Sequence, residues 1–201
     1  HSEKLNWRTT FTLSYNKNRV NELKRLTNLS FSQKLSGTQM EGYSAYPIFG
    51  FNYIGLNNAG NPMGLSQTND TIRLSTQVKV DDPVYAGTTQ PLWYGGITNS
   101  VSYKNLSFSF LIVYNMGHKM RRDVNQFYTG RLTRNIPEYF TNRWKVAGDE
   151  TKTDIPKYIA NTATSTSSRY TSLYTNALQN IVSASYAKLR DITLNYSFNK
   201  G

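Results

Sequence analysis

The chain has no cysteine, two histidines (His1 and His118) and no long apolar run. Without cysteine, neither a disulfide framework nor a thiolate metal site is available. Two histidines exclude a His-rich zinc or iron centre. The longest unbroken apolar stretch, Phe110 to Tyr114, is five residues, against the roughly 20 that a membrane helix needs. A chain of this kind meets a bilayer, if at all, as strands. Acid is also scarce: 12 Asp and Glu stand against 23 Lys and Arg, a net charge of +11 and a pI near 9.8. No glycine-rich phosphate-binding loop is present. The chain opens at His1 with no initiator Met, basic n-region or apolar h-region, the form expected of a mature protein or an excised piece.

What the chain has is tyrosine and alternation. Its 201 residues suffice for one sizeable β domain or two small ones. Fifteen tyrosines with a mean hydropathy of −0.57 suggest strands with one wet face and amphipathic rings at a boundary. In 7–15 the odd positions read Trp7, Thr9, Phe11, Leu13 and Tyr15, and the even ones Arg8, Thr10, Thr12 and Ser14. One face is apolar with aromatics at both ends, and the other is polar. Ile97 to Tyr103 alternates again, Lys104-Asn105 reads as a tight turn, and Leu106 to Tyr114 follows with Leu106, Phe108, Phe110, Ile112 and Tyr114 on one face. Near the end, parity places Ala184 and Tyr186 with Ile192, Leu194, Tyr196 and Phe198, opposite Asp191, Thr193, Asn195 and Ser197. The apolar stretch Tyr46 to Leu56 runs into a turn at "GLNNAGNP".

Long polar segments separate these strands. Residues 16–42 are rich in Lys, Asn, Ser and Thr; residues 121–158 mix charge with aromatics; "TATSTSS" at 162–168 is of low complexity; and 176–181 suggests a helical turn. Compact soluble domains connect their elements in about four to six residues. Strands of about ten residues, joined closely at one end and loosely at the other, match outer-membrane barrels. Alternation alone leaves a soluble β-sandwich open as well, because an apolar face serves a core as readily as lipid.

A resemblance separates the two. "QPLWYGGITNSVSYKNLSFSFLIVYNMGHKM", residues 90–120, resembles a stretch near the C-terminus of SusC/RagA-type TonB-dependent transporters, matched at Pro91, Gly95, Gly96, Tyr103, Lys104, Asn105, Gly117 and Lys119. "NRWKVAGDETKTDIPKY", residues 142–158, is similar to the family's loop of Arg-Trp, Gly-Asp, Thr and Ile-Pro. The segment 183–198 resembles its "sYxKLRxITLxY" strand at Tyr186, Lys188, Leu189, Arg190, Ile192, Thr193, Leu194 and Tyr196. "GLNNAGNP" and "WRTTFTLSYNKNRV" (7–20) fit in order. Five ordered blocks are far more specific than one.

The resemblance implies an all-β chain of antiparallel transmembrane β-barrel strands with long loops, part of a plugged barrel of about 22 strands. Residues 1–201 are expected to be a C-terminal part of the barrel domain, because the family's plug, its TonB-contacting segment and its last strands have no counterpart here. The implied function is import of oligosaccharides, or of peptides, across the outer membrane of a Gram-negative bacterium of the Bacteroidota. TonB would supply the energy through the missing N-terminal region. A SusD-like surface lipoprotein would act as lid, and outer-membrane lipid and lipopolysaccharide would surround the wall. The alternative is a self-contained soluble or surface β-domain that binds carbohydrate, an adhesin or binding module.

Enzymatic readings are poor. Asp81-Asp82 and Asp149-Glu150 are adjacent carboxylates in loops, whereas a catalytic pair needs separated, differently tuned acids. No catalytic residue, metal ligand or cofactor site is expected. "HKMRR" (118–122) and "NELKRL" (21–26) are basic but sit in no nucleic-acid-binding module, so no nucleic-acid partner is expected. For substrate contact the candidates are Trp93, Tyr94, Phe127, Tyr128, Arg143 and Trp144, as aromatic platforms or as packing between loops. Arg143-Trp144 reads as structural, because its match is to a family-wide motif.

Overall fold

The computed structural model describes residues 5–24, 29–124, 138–159 and 170–198. Along the chain run β1 (Asn6–Tyr15), α1 (Phe31–Leu35), β2 (Pro47–Gly50), β3 (Asn52–Leu56), β4 (Pro62–Leu65), β5 (Thr71–Ile72), β6 (Val84–Thr88), β7 (Trp93–Tyr103), β8 (Leu106–Met116), β9 (Lys119–Arg121), α2 (Ser172–Thr175), β10 (Ile181–Ser183) and β11 (Tyr186–Tyr196). Short 3-10 turns punctuate the connections. Two compact units emerge. The first comprises His1–Asn18, Gln90–His118 and Ser183–Gly201; the second comprises Arg19–Thr89 and Lys119–Val182.

The first unit is a four-stranded antiparallel sheet in the order β1-β7-β8-β11. Its strands are the alternating segments, now in register: Trp7 faces Val101, Phe11 faces Ile97, and Ile97 faces Ile112. β7 and β8 join through Lys104 and Asn105, with Lys104 in the left-handed region at φ 53°. At the opposite end, Tyr15, Trp93, Met116 and Tyr186 lie in neighbouring register positions. Residues 16–92 and 117–185 both leave and rejoin the sheet at that end. One expectation is corrected here. The register shifts between Leu189 and Asp191, a β-bulge that puts Leu189, not Tyr186, on the face of Ile192, Leu194 and Tyr196. Without the bulge, a period of two cannot place both Leu189 and Ile192 on the apolar side.

The second unit is built differently, from short ladders and loops around small cores. β2 pairs with β6, β3 with β4 and β4 with β5, and β9 pairs with β10. The stretch read as one apolar run from Tyr46 splits at Phe51, whose amide donates to the Asn176 carbonyl and whose carbonyl accepts from Leu178. Phe51 packs with Ile72 and Leu173, joined by Phe31, Leu35, Val78 and Tyr170. A second cluster gathers Val124, Phe140 and Tyr174, with Tyr53, Ile155 and Tyr158 against it. Helix α1, inside what reads as a polar segment, starts at a capping box: the Ser30 hydroxyl accepts from the Gln33 amide, and the Gln33 side chain accepts from the Ser30 amide. No helix among the described residues is long and apolar enough to cross a membrane.

Candidate functional site

The register sorts the sheet's side chains onto two faces. One carries Trp7, Phe11, Leu13 and Tyr15 from β1, Ile97 and Val101 from β7, Phe108, Phe110 and Ile112 from β8, and Leu189, Ile192 and Leu194 from β11. The other carries Arg8, Thr10, Thr12 and Ser14, then Thr98, Ser100 and Ser102, then Ser107 and Ser109 with the aliphatic Leu111 and Val113, then Lys188, Asp191, Thr193 and Asn195. The apolar face is open: Trp7 is 69% exposed, Ile192 59% and Leu194 66%. Soluble monomers rarely leave so continuous an apolar surface uncovered.

Aromatic residues mark both ends of that face. At the tight-turn end lie Tyr103 and Tyr196, the latter edge-to-face with Phe198 at 4.9 Å. At the other end Tyr15 packs on Trp93, with ring centroids 4.4 Å apart. Trp93 to Tyr103 spans ten residue steps of about 3.4 Å. With the usual barrel tilt of about 40°, the two aromatic levels stand about 26 Å apart, the height of a barrel's lipid-facing band.

Polar groups inside the band are satisfied internally. Tyr114 on β8 reaches across β7 to donate from its hydroxyl to the Thr12 carbonyl of β1, at 2.8 Å. Gly95 between them makes this possible, because a Cβ there would overlap the Thr12 carbonyl and lie 2.7 Å from the Tyr114 hydroxyl. The Tyr114 ring stacks with Phe11. Asn99 accepts from the Trp7 indole at 3.0 Å and donates to the Thr9 hydroxyl at 2.7 Å. Such closure is what a low-dielectric surrounding demands of buried polar groups.

The candidate substrate residues fall in different places. Trp93 lies on the apolar face against Tyr15. Tyr94, one residue on, points to the polar face, in register with Asn115, which is in turn in register with Tyr186 and donates to its hydroxyl. Phe127 and Tyr128 lie outside the described residues. Arg143 and Trp144 are half-buried in the second unit. The Arg143 guanidinium lies over the Phe140 ring, 4.9 Å from its centroid. The Trp144 indole donates to Glu150 at 3.0 Å, and the Trp144 amide donates to the Ile155 carbonyl.

Trp144 centres a locked loop. The Asp149 carboxylate accepts from the amides of Lys145 and Val146, and Glu150 also accepts from the Gly148 amide. These amide hydrogen bonds hold the Asp149 carboxyl below its usual range. Glu150 is likewise lowered, first by its own amide and then by the Trp144 indole. Gly60 of the "GLNNAGNP" turn, at φ +70°, lies so close to the Trp144 ring that a Cβ would penetrate it. The Asn57 side chain organises that turn by accepting from the amides of Ala59 and Asn61. Lys157 sits over the other part of this contact, 5.7 Å from the Trp144 ring centre. Two motifs that sequence reading keeps separate are thus one packed assembly. The only advance signal was their glycines, Gly60 and Gly148.

Buried hydroxyls complete the second unit. The Tyr53 hydroxyl donates to the Asp154 carbonyl at 2.7 Å, and burial raises its pKa. Burial pushes Tyr174 up to about 12. Among the described residues no group of acids and histidines is arranged to hold a metal ion.

No family model matches the chain. In sequence it is 26% identical over 246 residues to a TonB-dependent receptor of Formosa agariphila, an alignment covering 98% of this chain and 22% of that protein. In structure it matches a chain of the RagAB peptide importer in the closed-closed state, with a TM-score of 0.62, 20% identity and 98% of this chain covered. A RagAB peptide transporter structure gives a TM-score of 0.66 at 18% identity, with 96% covered. The chain spans about a fifth of the length of each of these proteins. The chain is thus similar in sequence to a TonB-dependent receptor and shares the fold of part of the RagAB structures, the all-β segment that the SusC/RagA-type resemblance of its motifs implies.

Proposed function

We propose that the chain is the C-terminal wall and loop region of an outer-membrane importer that takes up oligosaccharides or peptides, driven by TonB and covered by a SusD-like lipoprotein. The observation that carries this reading is the open, aromatic-edged apolar face, about one bilayer core in height, backed by a mainly polar face on which Leu111 and Val113 are aliphatic exceptions. A soluble sandwich would bury the first against a second sheet; here it is exposed, as a lipid-facing wall requires. The long connections all join the sheet at the Tyr15–Trp93 end, which is the outer end in barrels of this class. The outer edges of β1 and β11 are unpaired among the described residues, as strands of an unclosed segment must be. Similarity to a TonB-dependent receptor and to peptide importers supports the class of activity. In this reading Tyr94 and Tyr186 face the lumen and offer rings to passing substrate. Arg143 and Trp144 shape the outer loops, and Trp93 anchors the wall at the outer interface.

The test is an immunoblot of fractionated source cells with antibody raised against this chain. The expected result is an outer-membrane band far larger than 22.9 kDa that co-purifies with a surface lipoprotein. A soluble or secreted band of 22.9 kDa would overturn the reading in favour of a free-standing carbohydrate-binding module.

A further inference from the structure

We propose that the cavity beside Arg121 and Arg122, within the second unit, is a binding site for a carboxylate group of the ligand. The cavity measures about 530 Å³, and its lining includes Arg121, Arg122 and Asp123 from the end of β9 and Thr171, Thr175 and Asn176 from around α2. Arg121 is half-buried, and its guanidinium donates to the Phe49 carbonyl. A carbonyl accepts one of the five donors a guanidinium offers and neutralises no charge. Burial accordingly lowers the Arg121 pKa. Arg122 donates to the Asn180 side chain at 3.0 Å and to the Gln179 carbonyl at 3.4 Å, again neutral acceptors.

The ion pairs among the described residues are Lys34–Asp81 and Lys152–Asp149, and neither guanidinium takes part. Among the described lining residues Asp123 is the one acid; it is exposed, and two guanidinium groups stand there against one carboxylate. A planar two-oxygen anion matches a guanidinium fork and would supply the missing charge. The hydroxyls of Thr171 and Thr175 and the Asn176 amide suit the oxygen-rich neighbours such a group brings. Two carriers present this chemistry, a peptide and a uronic-acid oligosaccharide. The choice of these carriers rests on the import reading; the charge argument does not.

The experiment uses the intact protein that carries this chain, purified from whichever cell fraction holds it. Calorimetric titration is run with an oligoglutamate and an oligogalacturonate, and with oligoalanine amide and a malto-oligosaccharide as uncharged counterparts. At least one acidic probe is expected to bind, about tenfold or more tighter than its counterpart, with Arg121→Gln and Arg122→Gln each weakening it by about ten- to a hundredfold. Arg121→Lys, which keeps the charge but loses the fork, should fall between. Binding of the peptide alone assigns the carboxylate to a peptide; binding of the sugar alone assigns it to a uronic acid. Arg122 is exposed, so its variant decides the matter should Arg121→Gln fold poorly. Acidic probes that bind no better than neutral ones, or equally well to Arg122→Gln, would sink the proposal. A soluble protein that still shows the arginine-dependent affinity would remove the import reading and leave the site standing; a membrane protein without that affinity would do the reverse.

Discussion

The two units of this chain spend their aromatic residues in opposite ways. In the sheet the large rings and aliphatics point outward, with Phe11 and Ile192 each 59% exposed. In the loop-built unit two clusters of them turn inward, and Phe51 and Leu173 are 0% exposed. The difference separates two sources of order. The second unit carries its own apolar cores and organises its loops with side-chain caps. The sheet has hydrogen bonds across its ladders but no core of its own, so its stability must come from what covers its apolar face.

Substitutions can break this contrast. The largest effect is expected from Phe51→Ala, which empties a fully buried site and should cost about 3–5 kcal/mol. Hydrogen exchange would accelerate through β3 and its neighbours while the amides of β7 and β8 stay protected. Ile192→Arg on the apolar face should cost about 2–4 kcal/mol in a bilayer, read as lost heat-resistant mobility of the barrel. Thr193→Arg, one residue on and on the polar face, should leave it unchanged. Equal losses at both positions would refute the assignment of faces. Tyr114→Phe removes one hydrogen bond without changing shape and should cost about 1 kcal/mol, seen as faster exchange in β1 alone.

The smallest effects are those of pH. Asp149 and Glu150 titrate below their ordinary values of 3.8 and 4.5 in the folded loop. The folded state therefore binds their protons less readily than the unfolded one, so their contribution is present above those ordinary values and is lost as pH falls below them. A variant with Trp7 and Trp93 replaced by Phe would report this through Trp144 fluorescence at acid pH. Tyr174 acts in the other direction. Its raised pKa means stability that is intact below pH 10 and declines as pH climbs towards about 12, visible as alkaline loosening of the second unit.

The legibility of the sequence follows the same divide. Strands with one face in each medium write their register in a period of two, and 7–15, 97–103 and 106–114 were readable residue by residue. That reading failed at Arg190, where a bulge reverses parity; the spacing of Leu189 and Ile192, both apolar but three apart, was the available sign. In the second unit, order comes from glycine turns, carboxylates accepting amides and single rings, which have no period. Ser30 and Gln33 do carry a capping-box spacing, but it sits inside a segment whose composition is otherwise polar. The contact of Gly60 with Trp144 joins residues far apart in sequence, and its one local trace is the glycine itself. The candidate residues could be named as aromatics, but neighbours such as Trp93 and Tyr94 are divided between faces only once the register is fixed.

The strap from Tyr114 over Gly95 to Thr12 has a consequence for how such chains diverge. Any side chain at position 95 would meet the Thr12 carbonyl first and the tyrosine hydroxyl second, and losing the tyrosine would leave a bare furrow over the glycine. Position 95 is therefore closed by two neighbours, the Thr12 carbonyl and the Tyr114 hydroxyl, and stays closed to any side chain even where the tyrosine is lost.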